Sequence, residues 1–210
     1  MKSYDSIIFD LDGTLWDTTH AVAKARNHVL HTMGFPGHEV TAVEVGKLAG
    51  LPVDEIYRSC YGDLGEDAVQ KIRLAVGAEI RTQISLGGVR LYDGLHEGLT
   101  RLSRRYGLYI VSNCNPGYIE NFFMLSRTER LFRDHECWGK TLKSKGENIA
   151  SVVQRNGLKK SIYVGDTTGD ETAAKHAGTA FIHAAWGFGE ASPGCLRFSS
   201  FELLTDAFLN

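Results

Sequence analysis

Apolar residues along this chain follow two rhythms. Short β-branched or aromatic runs bounded by turn residues occupy Ser6–Phe9, Leu108–Val111, Ser161–Val164 and Thr179–His183, with a weaker run near Phe132–Trp138. Such runs predict buried parallel strands. Between them, Gly117–Ser126, Lys145–Arg155 and Gly169–Ala177 read as helices long enough to cross between parallel strands. Alternating strands and helices predict an α/β fold built on a doubly wound parallel sheet.

The alternation starts cleanly only after about residue 106. Before it, Asp17 to Arg90 carries helical periodicity and no convincing strand. Val22, Ala25, Val29 and Met33 fall at helical spacing, as do Ala68, Ile72, Ala75, Glu79 and Ile80. The expected organisation is a Rossmann-like core over residues 1–16 and 88–210, carrying an inserted all-α cap over residues 17–87. Trp16–Thr18 and Leu86–Gly88 are the expected outgoing and return hinges.

A chain of 210 residues can bury roughly 70% of its unfolded surface, enough for one core and a smaller appended unit. Charge narrows the partners. The formal net charge is −2 and no Lys/Arg-rich run occurs, so neither nucleic acid nor a membrane is an expected partner. Cys60, Cys114, Cys137 and Cys195 are widely spaced, lack metal-ligand spacing and read as reduced thiols. The start, MKSYDSIIFDLDG, has acidic residues where a signal peptide needs an apolar core. The expected location is cytoplasmic.

The most informative run is Ile7-Ile8-Phe9-Asp10-Leu11-Asp12-Gly13-Thr14-Leu15, an apolar strand ending in two aspartates one residue apart. Ligands of open α/β sheets bind at the carboxyl ends of strands, where these carboxylates fall. Three further features follow in order: Val111-Ser112-Asn113 at the end of a strand, Lys145 before a helix, and Gly165-Asp166-Thr167-Thr168-Gly169-Asp170 at the end of the next strand. Ser144-Lys145-Gly146-Glu147 matches a capping box, which puts Lys145 on a first helical turn, with Lys143 its nearest competitor. Asn115-Pro116 reads as the start of a helix close to Ser112 and Asn113, a location that favours anions.

The Asp10–Leu15 run resembles the first motif of the haloacid dehalogenase superfamily, in its phosphatase branch, and the later features resemble that family's remaining motifs in order. Tyr92-Asp93-Gly94 adds a resemblance to phosphoglycolate-phosphatase-like members. The resemblance implies a magnesium-dependent phosphatase acting on a small phosphorylated metabolite, phosphoglycolate-like or a sugar phosphate, with Asp10 as nucleophile and Asp12 as acid and base. It places Ser112, Asn113, Lys145, Gly13 and Thr14 around the phosphate, and Asp10, Asp12, Asp166 and Asp170 around Mg²⁺.

Chemistry gives the same residues coherent roles. A carboxylate attacks an anionic ester only if positive charge screens the repulsion. Mg²⁺ takes oxygen ligands, which fits Asp10, Asp166 and the Asp12 carbonyl, with Asp170 just outside. Competing readings are a phosphomutase of the same architecture, a dehalogenase, a phosphonate hydrolase using Lys47, and a non-catalytic binding protein. Asp12 and the second acidic run speak against the dehalogenase, and the complete acid set against the binding protein. His20 and Lys47 read as solvated, Cys114 as a packed thiol, and Trp16 as a residue that shapes the pocket or packs beneath the cap.

Overall fold

A computed structural model of the chain describes residues 3–210. In chain order the strands are β1 (Ser6–Phe9), β2 (Trp16–Asp17), β3 (Arg90–Leu91), β4 (Gly107–Ser112), β5 (Phe132–Cys137), β6 (Ser161–Gly165), β7 (Ala180–Ala184) and β8 (Arg197–Phe198). The helices are α1 (Thr19–Thr32), α2 (Ala42–Lys47), α3 (Val53–Tyr61), α4 (Glu66–Ser85), α5 (Leu95–Ser103), α6 (Tyr118–Ser126), α7 (Trp138–Thr141), α8 (Lys145–Arg155), α9 (Thr168–His176) and α10 (Phe201–Leu209).

Six strands form one parallel sheet in the order β5-β4-β1-β6-β7-β8. The two-residue side-chain period decides which helices cover which face. Ile7 and Phe9 point to one side with Leu108, Ile110, Ile162 and Val164, packing against Leu99, Leu102, Phe122 and Phe201 of α5, α6 and α10. Ile8 points to the other with Tyr109, Val111 and Tyr163, against Ile149, Val152 and Ala173 of α8 and α9. Burying each such side chain contributes about 1.5–3 kcal/mol. A one-residue slip of β1 would exchange its two faces, so both sides of the core hold the register.

That register fixes the site. Phe9 lies level with Ile110 of β4 and Val164 of β6, so the carboxyl ends of the three central strands come out side by side. The weak signal at β5 has a physical cause. It is an edge strand whose Arg133 is exposed and whose Asp134 and His135 are only partly buried, and polar edge residues blur an apolar run.

Helices α1–α4 stand between β2 and β3, and α1, α3 and α4 share a separate core of Ala25, Val29, Leu30, Tyr57, Tyr61, Val69, Ile72 and Val76. No strand was expected between Asp17 and Arg90, yet β2 and β3 pair antiparallel there, Trp16 with Leu91 and Asp17 with Arg90. Two-residue strands are too short to carry periodicity, and this ribbon ties the outgoing and returning chain together. Two helix starts also differ from expectation. α6 begins after Gly117, which sits at φ +87° as its N-cap, so Pro116 lies in the preceding loop. The capping box of α9 joins Thr167 to Asp170, so the helix starts at Thr168, one residue before the expected Gly169.

Candidate active site

Asp10 follows β1 directly, and its N–H donates to Val164 O at 2.8 Å, so the central sheet holds its backbone. The chain then turns back on itself: Leu15 N donates to Leu11 O (2.9 Å) and Gly13 N to Trp16 O (2.9 Å). Gly13 has φ +81°, and a Cβ there would lie 2.1 Å from Asp166 Oδ2. Only glycine fits this approach.

Asp170 gives its two oxygens separate tasks. Oδ2 caps α9, accepting from Thr167 N (3.0 Å), Thr167 Oγ1 (2.7 Å) and Asp166 N (3.2 Å). Oδ1 accepts from Lys145 Nζ at 2.6 Å, and the same ammonium donates to Asp10 Oδ1 at 2.8 Å. The capping box of Ser144 and Glu147 starts α8, which holds Lys145 on the first turn and aims it inward. Lys143 is exposed.

Burial dominates the electrostatics. It pushes the Asp10 carboxyl up, Lys145 pulls it down, and Asp170 and Asp166 push it up again, leaving it well above the ordinary range. Asp166 is pushed up to about 7, by burial first and Asp170 second. Burial pulls Lys145 down, but Asp10 and Asp170 more than reverse this, so its ammonium holds its proton beyond the ordinary lysine range.

Ionised together, the three carboxyls against one ammonium would leave an excess of two buried negative charges, which is costly in a medium that solvates them poorly. Asp166 Oδ1 is buried without a hydrogen-bond partner. Oxygens of Asp10, Asp166 and Asp170 all lie within 4.8 Å of one another. The charge excess, the orphaned oxygen and an all-oxygen donor set fit a hard divalent cation.

Asp12 sits apart from this cluster. Thr18 Oγ1 donates to Asp12 Oδ1 at 2.9 Å, and the Tyr118 hydroxyl lies 3.0 Å from that oxygen and 2.9 Å from Thr18 Oγ1. Burial raises the Asp12 carboxyl, and these hydroxyls only partly offset it. Sequence reasoning missed both partners. Thr18 follows the motif closely enough to have been a candidate, whereas Tyr118 carries no local cue. It also missed Phe188, whose N–H donates to Asp166 Oδ2 at 2.8 Å. The neighbouring Gly187, where a Cβ would lie 2.4 Å from Asp166 Cβ, was a readable signal of close backbone approach.

A cavity of about 170 Å³ opens over the cluster. Of the site residues expected from sequence, Asp10, Asp12, Ser112, Asn113 and Lys145 line it, as does Cys114. Asp166 and Asp170 do not line it, nor do Gly13 and Thr14, which are buried within the loop after β1, where Thr14 O accepts from Trp186 Nε1 at 3.1 Å. Asn113 Nδ2 donates to Gly50 O at 2.7 Å, tying the end of β4 to the inserted helices. His20 and Lys47 are exposed, and Trp16 is fully buried against Tyr118 and Phe122.

A central parallel strand that delivers a buried carboxylate to a lysine and two further aspartates, beneath an inserted helical unit, defines a class of hydrolase. The family model for haloacid dehalogenase-like hydrolases matches residues 7–184, and the chain belongs to that family. Among curated relatives, a phosphoglycolate phosphatase of Synechococcus elongatus is 28% identical over 88% of this chain and 85% of its own length. A 5'-nucleotidase of Pseudomonas aeruginosa is 26% identical over 89% of this chain and 85% of its own. In fold, the chain matches a haloacid dehalogenase-like hydrolase of Streptococcus pneumoniae with a TM-score of 0.84 at 23% identity, both chains being covered in full. A predicted phosphoglycolate phosphatase of Haemophilus somnus gives 0.85 at 22% identity over 99% of both chains.

Proposed function

We propose that this hydrolase is a magnesium-dependent phosphatase of small phosphorylated metabolites. The observation that carries the reading is the buried Asp10–Lys145–Asp170–Asp166 cluster, with its unpartnered Asp166 oxygen, at the base of a cavity small enough for a metabolite. Asp10, Asp166 and the Asp12 carbonyl would hold Mg²⁺, with Asp170 just outside. When bound, the ion would screen the repulsion between Asp10 and the phosphate.

In the first step an Asp10 carboxylate oxygen bonds to phosphorus, the ester P–O bond breaks, and Asp12 gives its proton to the leaving alcohol. In the second, water attacks the phosphorus of the aspartyl phosphate and passes a proton to Asp12, which releases inorganic phosphate and restores Asp10. The raised carboxyl of Asp12 supports its starting protonated. Ser112, Asn113 and Lys145 would hold the non-transferring oxygens, with Gly13 and Thr14 shaping the loop around them.

We take residues 17–87 as a cap that excludes water, because the cavity is lined jointly by Asp10 and Ser112 below and by Val22, Leu48 and Ile80 above. Four free cysteines and the absence, among the described residues, of any helix long and apolar enough to cross a membrane support a cytoplasmic setting.

Hydrolysis of p-nitrophenyl phosphate tests the reading. Magnesium should support turnover, chelation should abolish it, and Asp10→Asn should lower it by roughly 10³-fold or more with the fold retained. Near-normal turnover by a folded Asp10→Asn variant would remove the mechanism.

A further inference from the structure

Arg26 is the one arginine that is buried among the described residues, 4% exposed. It stands on α1, on the face that carries Thr19 and Val22 to the cavity, and it lines that cavity itself. Helical side chains lean toward the N-terminus of their helix, which for α1 is the end where Thr18 meets Asp12. Arg26 Nε and Nη1 are both buried without a hydrogen-bond partner.

Its surroundings do not neutralise it. The guanidinium carbon lies 5.2 Å from the centroid of the Tyr57 ring, and the Tyr57 and Tyr61 hydroxyls interact with the guanidinium, but neither brings a negative charge and Nε and Nη1 stay unpartnered. Arg73, by contrast, is paired with Asp54 at 2.6 Å and Arg155 with Asp134 at 2.6 Å. No ion pair of Arg26 occurs among the described residues, and the inserted helices bring no Asp or Glu to the cavity wall, only Arg26 and the more exposed Arg81. A buried cation kept without a carboxylate of its own is stabilised when a ligand brings one.

We propose that Arg26, stacked on Tyr57, is a subsite for a carboxylate carried by the substrate, so that the cavity selects phosphorylated hydroxy acids over phosphate esters with an uncharged body. This rests on the phosphatase reading, which puts the phosphoryl group at Asp10 and leaves the rest of the substrate facing the inserted helices. The guanidinium fork matches a carboxylate in two parallel hydrogen bonds. A neutral alkyl group would leave Nε and Nη1 unsatisfied, and a sugar hydroxyl would accept from them without supplying the counter-charge.

The test compares three esters on the protein with magnesium: phosphoglycolate, ethyl phosphate, which carries a methyl group in place of the carboxylate, and p-nitrophenyl phosphate. The wild type should favour phosphoglycolate over ethyl phosphate by about tenfold or more in kcat/KM, as expected where a site is built to bond a group that the analogue lacks. Arg26→Met should erase that preference through KM, leave the two uncharged esters within about twofold, and have a melting temperature equal to or above that of the wild type, because a buried unpaired charge has been removed. Should Arg26→Met fail to fold, Arg26→Lys carries the same test. It keeps the charge but not the fork, and should raise KM severalfold for phosphoglycolate alone. A wild type without the preference, or a preference that survives in the variant, overturns the subsite. If the wild type turns over none of the three esters, the phosphatase reading fails instead. The subsite is then judged by whether phosphoglycolate raises the melting temperature of the wild type and not of the variant, and equal shifts in both reject it.

Discussion

The two walls of one cavity obey different rules. Below, Asp10, Lys145 and Asp170 form a closed set of buried charges with partners at 2.6 and 2.8 Å, and helix caps and glycines leave them no alternative position. Above, Val22, Leu48 and Ile80 are apolar and a single buried arginine has no counter-charge. A preorganised floor stabilises charge as it develops in any phosphate ester, whereas the roof meets only the part of the substrate that differs between esters. In the proposed reaction, reaction type would belong to the floor and choice of substrate to the roof.

The sharpest way to break this division is to remove the floor's one cation. Lys145→Met would leave three carboxylates facing one another, and losing one partner of a buried pair costs about 3–5 kcal/mol. Melting should fall by about 10 °C or more in the absence of metal, at about 2–4 °C per kcal/mol for a chain of this size. Turnover of every ester should drop together, which steady-state assays on two unlike substrates would read. Gly13→Ala should act more locally: with the Cβ aimed at Asp166 Oδ2, activity should fall by about 10²-fold, and the magnesium concentration needed for half-maximal activity should rise.

A smaller effect comes from pH. Asp166, pushed up to about 7 from 3.8, binds its proton more tightly when folded than unfolded. Its contribution is therefore fully present below about pH 4 and lost as pH rises through about 7. Asp10 is shifted in the same direction. The metal-free protein should lose several degrees of melting temperature between about pH 5.5 and 8. Magnesium should flatten that slope by holding the carboxylates ionised, and calorimetry with and without chelator measures both curves.

The same division explains what could be read from the chain alone. Floor residues sit where strands end, so Asp10, Ser112 and Asp166 announce themselves by an apolar run that stops at a polar residue, and Lys145 by its capping box. Roof residues sit on amphipathic helices, where Arg26 follows the spacing of Val22 and Val29 and looks like one more helical position. Its meaning depends on Tyr57, which lies 31 positions along the chain. Tyr118 beside Asp12 went unread for the same reason, since its hydroxyl meets that of Thr18 across 100 positions. The β2–β3 ribbon, two residues on each side, was too short for any period to register.

The central claim is that Asp10 carries the phosphoryl group and Asp12 handles the protons, although one residue separates them. Asp12→Ala separates the two tasks. p-Nitrophenolate leaves without needing a proton, so attack by Asp10 should continue, while release of phosphate should stall for want of a base. Intact-protein mass spectrometry after rapid mixing of Asp12→Ala with p-nitrophenyl phosphate and magnesium should show a phosphate-sized mass increase that peptide mapping places on Asp10. No adduct, or an adduct on another residue, would contradict the account.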